Sequence, residues 1–321
     1  MNFYHQEHPY VAVVKDGAGI GRTMLMPAKS SVIGTMQYLI PKPNVTAEYL
    51  RYVVQHMHLE KYFSGATIPH IYFRDYKEER FNLSSIDEQK CIVDSLGRVE
   101  RIISKRQQEL SALDDLIKAR FVEMFGDDKY PSVSMIDLIL EGAGLSYGIV
   151  QPGDDGTGDM GVLRPVDMVD GKISIDSIKY IDRSIGDGFK KTELTGDELL
   201  ITVRGTTGIT ALTDKRFKGM NVTRGLAVIR FDRSLINPIY LNTYLNTEKS
   251  QRYIQEHTRG ATLQQINLSD LRVQQIPVPP FDLQEQFSSF AIQIDKSKDA
   301  IKKSLTETQT LFDCLMQKYF G

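Results

Sequence analysis

Arginine, lysine and hydroxyl side chains are concentrated in one short segment of this sequence. Between Val203 and Arg230 there are six basic residues and one acidic residue, whereas Val150–Leu200 holds eleven acidic and six basic residues. Arginine can donate paired hydrogen bonds to guanine or to phosphate, and hydroxyl groups make short phosphate contacts. The segment therefore favours binding of nucleic acid, with Arg204 and Arg224 as the strongest candidates. An ordinary solvated surface of mixed charge is the alternative.

The predicted DNA contacts are cationic, hydroxyl or amide side chains in this segment and in two related turns. Gln264 is included because an amide can pair with the donor and acceptor that adenine presents in the major groove. A purely structural role, as a joint between a domain and a helix, stays open for the threonines. The predicted residues are Lys15, Arg22, Arg204, Thr206, Thr207, Lys215, Arg216, Lys218, Arg224, Arg259, Thr262 and Gln264.

Two further motifs resemble cofactor sites, but each lacks a required residue. Gly17–Gly21 resembles a phosphate-binding glycine loop, yet Arg22 replaces the last small residue and no βαβ setting follows. We interpret this loop and Arg204–Gly208 as tight turns in which glycine permits a positive φ. Asn237–Tyr240 resembles an adenine methyltransferase loop without its second proline, and we predict a helix start capped by Asn237 instead. We therefore predict no catalytic residue and no metal site.

The composition is typical of a folded, water-soluble chain. The 321 residues are 41% hydrophobic and 25% charged, which argues against a disordered or collagen-like protein. No apolar run approaches the roughly 20 residues of a membrane helix, so we predict no membrane association. The two cysteines form neither a disulfide framework nor a metal cluster, and we expect a cytoplasmic location with free thiols.

One sequence pattern occurs twice, with its copies 195 residues apart. Ser64–Ile71 corresponds to Arg259–Ile266, and both contain Gly-Ala-Thr at the same place. Each copy then runs through spaced apolar residues into a turn, a Glu-Gln pair and a final Phe-Gly. The two pairs, Glu88-Gln89 and Glu285-Gln286, match only with a slip of two residues. We infer a tandem duplication.

A long helix is predicted after the turn in each copy. Apolar residues there alternate between spacings of four and three, which is the period of a coiled-coil seam. A helix of about 36 residues is roughly 54 Å long, too long for the interior of one compact domain, so each helix needs a partner. The simplest partner is the other copy. The predicted packing residues are Ile92, Leu96, Val99, Ile103, Leu110, Leu113, Ile117, Ile294, Ile301, Leu305, Phe312 and Leu315.

The remaining sequence predicts an α+β fold, with globular parts joined by the two helices. Short strand-like runs such as Leu199–Val203 and Leu226–Ile229 alternate with turns, and a helix is expected near 238–257. Four segments are predicted. They are 1–83, the C-terminal part of a first globular domain; 84–126, the first long helix; 127–280, a complete second domain; and 281–321, the second long helix.

The first domain is expected to be incomplete. Val14-Lys15 and Gly19-Ile20 match Val203-Arg204 and Gly208-Ile209, but the first copy is roughly 60 residues shorter before this point. Three explanations are open: an artificial fragment, a silent gene copy that donates domains by recombination, or a short subunit that completes its site with another chain.

The whole pattern resembles the specificity subunit of type I restriction–modification enzymes. The resemblance rests on Leu145–Asp154, Leu200–Gly208, Gly260-Ala261-Thr262 and Ile276–Phe281, followed by the long helix. The duplicated order of domain and helix is its most specific part. It implies two target recognition domains, each reading half of a split DNA sequence, with two long helices packed antiparallel between them.

By the same resemblance the chain is a non-catalytic, DNA-reading subunit. The helices would dock modification subunits, which would bind S-adenosylmethionine and methylate adenine, and a restriction subunit would join the complex. No cofactor is expected on this chain. The alternatives are a DNA adenine methyltransferase with built-in target recognition and a coiled-coil adaptor that does not bind DNA.

Overall fold

The computed structural model of the protein describes residues 4–321 apart from 66–67, 127–128, 154–157, 170 and 177. Ala66, Thr67 and Asp154 of the sequence motifs therefore lie outside the described residues. The chain divides into two compact units: unit 1 holds residues 1–112 and 298–321, and unit 2 holds 113–297. Within the described residues, no helix combines the length and apolar character needed to cross a membrane.

Unit 1 is built on a three-stranded antiparallel sheet. Its strands are β1 (Tyr10–Val14), β2 (Thr23–Met26) and β3 (Met36–Leu39), in the order β2-β1-β3. The central strand β1 is completely buried, in keeping with its unbroken apolar sequence. Its helices are α1 (Ala47–His56), α2 (Phe73–Tyr76) and the first part of α3 (Ile86–Phe125).

Unit 2 contains the larger set of strands. They are β4 (Ser132–Ser134), β5 (Ser146–Tyr147), β6 (Met160–Leu163), β7 (Met168–Val169), β8 (Lys172–Ile173), β9 (Lys179–Ile181), β10 (Leu199–Thr202), β11 (Thr210–Leu212), β12 (Asn221–Val222), β13 (Leu226–Ile229) and β14 (Gln275–Pro277). The helices are the last part of α3, α4 (Pro238–Leu245), α5 (Glu248–His257), α6 (Leu268–Val273) and the first part of α7 (Phe281–Phe320), whose last part belongs to unit 1.

The main sheet of unit 2 has the order β11-β10-β13-β5 and is antiparallel throughout. Side chains from β10 and β13 enter one apolar cluster on one face and a second cluster on the other. Burial on both faces explains why these strands are continuous apolar runs rather than alternating ones. A smaller sheet, β12-β6-β9, lies in the same unit.

The helix predicted near 238–257 is two helices. Asn237 caps α4 by accepting from the N–H groups of Ile239 and Tyr240, as predicted. After Leu245 the chain turns, and Thr247 caps a new helix by accepting from Ser250. A threonine with this side-chain contact favours a helix start over a helix interior, which is why the predicted helix is interrupted there.

The two long helices pack antiparallel within each unit. In unit 1 the start of α3, at Leu96 and Val99, shares an apolar cluster with Phe312 near the end of α7. In unit 2 the end of α3 meets the start of α7, where the Phe121 and Phe287 rings lie 5.2 Å apart. The predicted fold class, with mixed strands and helices and two long antiparallel helices, is confirmed.

The predicted packing residues differ in burial along the helices. Ile92, Leu96, Val99 and Phe312 are buried. The other eight are only partly buried: Ile103, Leu110, Leu113, Ile117, Ile294, Ile301, Leu305 and Leu315. Two paired helices cover one another incompletely, and full burial occurs where the globular part of a unit adds a further layer, as Tyr52 of α1 does beside Phe312.

A buried glutamine ties the start of each long helix to its own unit. The Gln89 side chain accepts from the Thr46 N–H (2.9 Å) and donates to the Asn44 carbonyl (2.9 Å). Gln284 accepts in the same way from the Asn237 N–H (2.8 Å). These two glutamines are 195 residues apart, so the repeat continues here without a slip. The match of Glu88-Gln89 to Glu285-Gln286 is wrong.

Candidate nucleic-acid interface

The turn between β10 and β11 presents Arg204 at one end of the main sheet of unit 2. Gly205 and Gly208 have φ values of +79° and +88°, which fits the predicted tight turn. The Arg204 Nε donates to the Gln265 side chain at 2.7 Å, which fixes the direction of the guanidinium group. Thr206 is exposed. Arg204 and Thr206 are therefore placed to meet a ligand at this end of the sheet.

Thr207 lies in the interior, unlike its neighbour. It is 4% exposed, and its hydroxyl shares a hydrogen bond with the Thr258 hydroxyl at 2.9 Å. A hydroxyl held in this way joins the turn to the end of α5. Thr207 therefore has a structural contact and no surface from which to reach DNA.

A second loop, Arg259–Gln265, closes beside the same turn. Arg259 and Gln265 exchange backbone hydrogen bonds of 2.8 Å, and Gly205 N–H donates to the Gln264 carbonyl at 2.9 Å. Thr262 and the Gln264 side chain are exposed. Arg259 forms an ion pair with Asp270 at 3.4 Å, so part of its charge is balanced within the chain.

Equivalent hydrogen bonds in unit 1 correct the predicted register of the repeat. Ile71 N–H donates to the Lys15 carbonyl at 2.9 Å, and Ile266 N–H donates to the Val203 carbonyl at 3.1 Å. Lys15 is therefore the counterpart of Val203 and not of Arg204. The turn after β1 is one residue longer than the turn after β10. The predicted alignment of Lys15 with Arg204 is therefore one residue out of register.

The counterpart of Arg204 in unit 1 is an acidic residue. Asp16 bridges to His70 through the backbone and through its side chain, as Arg204 does to Gln265. Arg22, predicted as a DNA contact, is exposed. The two copies thus share a backbone bridge from the turn to the neighbouring loop and present side chains of different charge from it.

The basic segment 203–230 is divided between two ends of the sheet. Arg204 and Arg224 lie where β10 ends and β13 begins, because Val203 N–H donates to the Gly225 carbonyl. Lys215, Arg216 and Lys218 follow β11, and the hairpin returns them to the start of β10. The ends are about six residues of extended strand apart, or roughly 20 Å. The basic side chains of this segment therefore do not form one continuous basic surface.

Some of these cations already have partners within the chain. Arg216 makes a two-pronged contact with Asp214, at 3.0 and 2.7 Å. The structure records no ion pair for Lys215, Lys218 or Arg224 within the described residues, and all three side chains are exposed. These three are the cations best placed to contact phosphate.

A groove beside β5 adds residues that the sequence analysis missed. A cavity of about 620 Å³ is lined by Tyr147, Phe189 and Arg272, and the next depression along the surface adds Lys190 and Lys191. A third depression continues from Lys190 to Lys218. Aromatic rings between cations form a surface suited to nucleic acid. The neighbouring pair Lys190-Lys191 could have indicated this surface in the sequence, but the many acidic residues of the segment Val150–Leu200 obscured it.

A buried carboxylate holds the Lys218 end of the sheet together. Glu198 is fully buried and ion-paired to Arg230, which also donates to the carbonyls of Lys191 and Glu193. Burial alone would raise the pKa of Glu198, but hydrogen bonds from Asp197, Thr195 and Thr213 outweigh it and lower the pKa to about 2. The Lys190–Lys191 segment is thereby attached to the sheet.

Comparison with known proteins identifies the family. The family model for the type I restriction modification DNA specificity domain matches residues 2–112 and 157–309. The specificity subunit of the type I restriction enzyme EcoBI from Escherichia coli is 21% identical over 290 residues, covering 80% of this chain. This chain spans 61% of the length of that relative.

Two solved structures have a similar fold. The S subunit of a type I restriction-modification system from M. genitalium superposes with a TM-score of 0.59 at 15% identity, over 100% of this chain and 85% of that one. A chain from a study of complex assembly and conformational transition of the type I R-M system gives 0.60 at 16% identity, over 96% and 81%. With the repeated units, the long helices and the family match together, this chain belongs to the type I restriction–modification DNA specificity family.

Proposed function

We propose that the chain is a DNA-reading subunit of a type I restriction–modification complex. Unit 2, with residues 127–280 as its target recognition domain, reads one half of a bipartite sequence. Residues 1–83 are part of a first recognition domain. The observation that carries the proposal is the groove of Tyr147, Phe189 and Arg272, which runs towards exposed lysines.

The division of labour with partner subunits is part of the proposal. The long helices α3 and α7 dock modification subunits, and a restriction subunit joins through them. We assign methyl transfer from S-adenosylmethionine to the modification subunit, as the resemblance to the specificity subunit implies. The complex works in the cytoplasm, where its DNA substrate is found.

Arg224→Ala tests the interface in the assembled complex with a modification subunit. Selection from randomised DNA first identifies the target, and fluorescence anisotropy then measures affinity for target and unrelated DNA. We expect a loss of about 1–3 kcal/mol on the target if Arg224 reaches a base edge. An equal loss on all sequences would identify it as a phosphate contact, with a reduced salt dependence.

The matched control is Arg252→Ala, which removes an exposed arginine of the same unit that is paired with Glu248 on α5. The control should bind DNA as the unaltered complex does. Unchanged affinity in Arg224→Ala, or an equal loss in the control, contradicts the proposed interface. Equilibrium dialysis of the chain alone with S-adenosylmethionine addresses the methyltransferase alternative, which predicts binding where our proposal predicts none.

A further inference from the structure

The sheets of the two units have the same order, but their outer edges differ. The order β2-β1-β3 in unit 1 corresponds to β11-β10-β13 in unit 2. In unit 2 the free edge of β13 is covered by β5, which pairs Ser146 with Val228 and Tyr147 with Ala227. No described strand of unit 1 pairs with the corresponding edge of β3.

The register identifies the residues on that edge. Val13 pairs with Gln37 as Ile201 pairs with Ala227, so Tyr38 is the counterpart of Val228. Lys15 N–H donates to the Thr35 carbonyl, and backbone groups alternate in direction along a strand. The backbone of Tyr38 is therefore directed away from β1. Among the described residues, its carbonyl accepts from the Gln37 side chain next to it, at 3.1 Å.

An apolar residue that contacts the covering strand β5 in unit 2 has an exposed counterpart in unit 1. Leu268, at the start of α6, is 7% exposed, and its N–H donates to the Tyr147 hydroxyl at 3.3 Å. Arg272 of the same helix donates to the Leu145 carbonyl at 3.0 Å. The counterpart of Leu268 in unit 1 is Phe73, which is 46% exposed. Its neighbour Tyr72 is 43% exposed.

We propose that the edge of β3, with Tyr72 and Phe73, is a docking site for an extended segment of a second polypeptide of this family. The segment is of the Leu145–Ile149 type. The unit 2 copy of the surface carries such a segment, in which Leu145 enters the apolar core and Ser146 pairs with the strand edge. Unpaired strand edges beside apolar surface are established acceptors of added strands. The inference is independent of DNA binding.

A peptide with the sequence of residues 143–152 tests the site on the full chain. We expect saturable binding of the fluorescently labelled peptide and slower hydrogen exchange at the Tyr38 amide, because a new strand would accept from it. A control peptide carrying Leu145→Asp and Tyr147→Asp should not bind. Absence of binding by the unaltered peptide overturns the proposal.

Phe73→Asp distinguishes unit 1 from a site elsewhere. Its side chain is half exposed, so the folded state should persist, while peptide binding should weaken about tenfold or more through lost apolar contact. Unchanged binding in this variant, or exchange protection confined to β13, overturns the proposal. Concentration-dependent protection of β3 that persists without peptide in the Phe73→Asp variant would also overturn it, since two β3 edges would then pair with each other.

Discussion

Glu198 shows how one side chain can organise a surface, here part of the proposed DNA interface, without itself being exposed to a ligand. Its carboxylate accepts from six donor atoms, each oxygen receiving three. They are Thr195 N, Thr195 Oγ1, Gly196 N, Asp197 N, Thr213 Oγ1 and Arg230 Nε. A carboxylate is the side chain that can satisfy all of them, because an amide would direct its own N–H groups at donors.

The free energy of unfolding of unit 2 should therefore depend on pH within a defined acidic range. Because the folded-state pKa of Glu198 is lowered from 4.5 to about 2, its contribution is present above pH 4.5 and is lost as the pH falls towards 2. The contribution at neutral pH is about 3 kcal/mol. Urea unfolding at several pH values, monitored by hydrogen exchange of the β10 amides, measures this contribution.

Glu198→Gln should lower the free energy of unfolding at pH 7 and remove most of this acid dependence. Glu141→Gln, at an exposed position, is the control and should behave as the unaltered chain. A Glu198→Gln variant with an undiminished fall in stability between pH 4.5 and 2.5 would show that other groups cause the acid sensitivity.

Each long helix begins at a clamp made by a buried glutamine. Gln89 and Gln284 each bridge a helix start to the residues just before α1 or α4, so the direction of the helix is set by its own unit. The clamp pairs backbone groups at partly buried positions with a buried glutamine side chain. It is therefore a structural requirement of the repeat.

Gln89→Leu should destabilise unit 1 by about 1–3 kcal/mol for each backbone group left unpaired, beginning with Thr46 N–H. Gln286→Leu is the matched control, because Gln286 is exposed on α7. It is also the residue that the predicted repeat aligned with Gln89. Thermal unfolding followed by circular dichroism compares the two. Equal shifts in Tm would contradict the assignment of the clamp.

At the scale of the whole molecule, the duplication was readable in sequence because its strongest signals are local. Apolar spacing identified α3 and α7, and unbroken apolar runs identified β10 and β13. The pairing of β5 with β13 joins residues some 80 positions apart, and a strand of two residues leaves no periodic pattern. The groove and the division of the basic segment depend on that pairing and on the hairpin, so neither was predictable.

Gly65 and Gly260 test the duplication directly, since they hold the same backbone position in the two units. Their φ values are +105° and +101°, and an added Cβ would lie 2.6 Å from the Ile68 carbonyl oxygen and 2.3 Å from that of Leu263. Replacement by alanine should cost at least about 1 kcal/mol in each unit.

Hydrogen exchange of the surrounding strands in each unit measures the two glycine variants separately. Gly34→Ala is the control, because Gly34 has no positive φ and no neighbour within 4 Å of its added Cβ. A loss in one unit and none in the other would contradict the structural equivalence of the copies.

Under the proposed function, the spacing of the two cation groups on unit 2 has a consequence for how much DNA the unit would contact. Arg224 at one end of β13 and Lys218 near the other are separated by roughly 20 Å of strand. Successive base pairs of a DNA duplex are about 3.4 Å apart, so a duplex lying along strand β13 would present about six of them between the two cation groups. A single unit of this kind would contact the phosphates on either side of a short run of base pairs, and the length of β10 would set the length of that run.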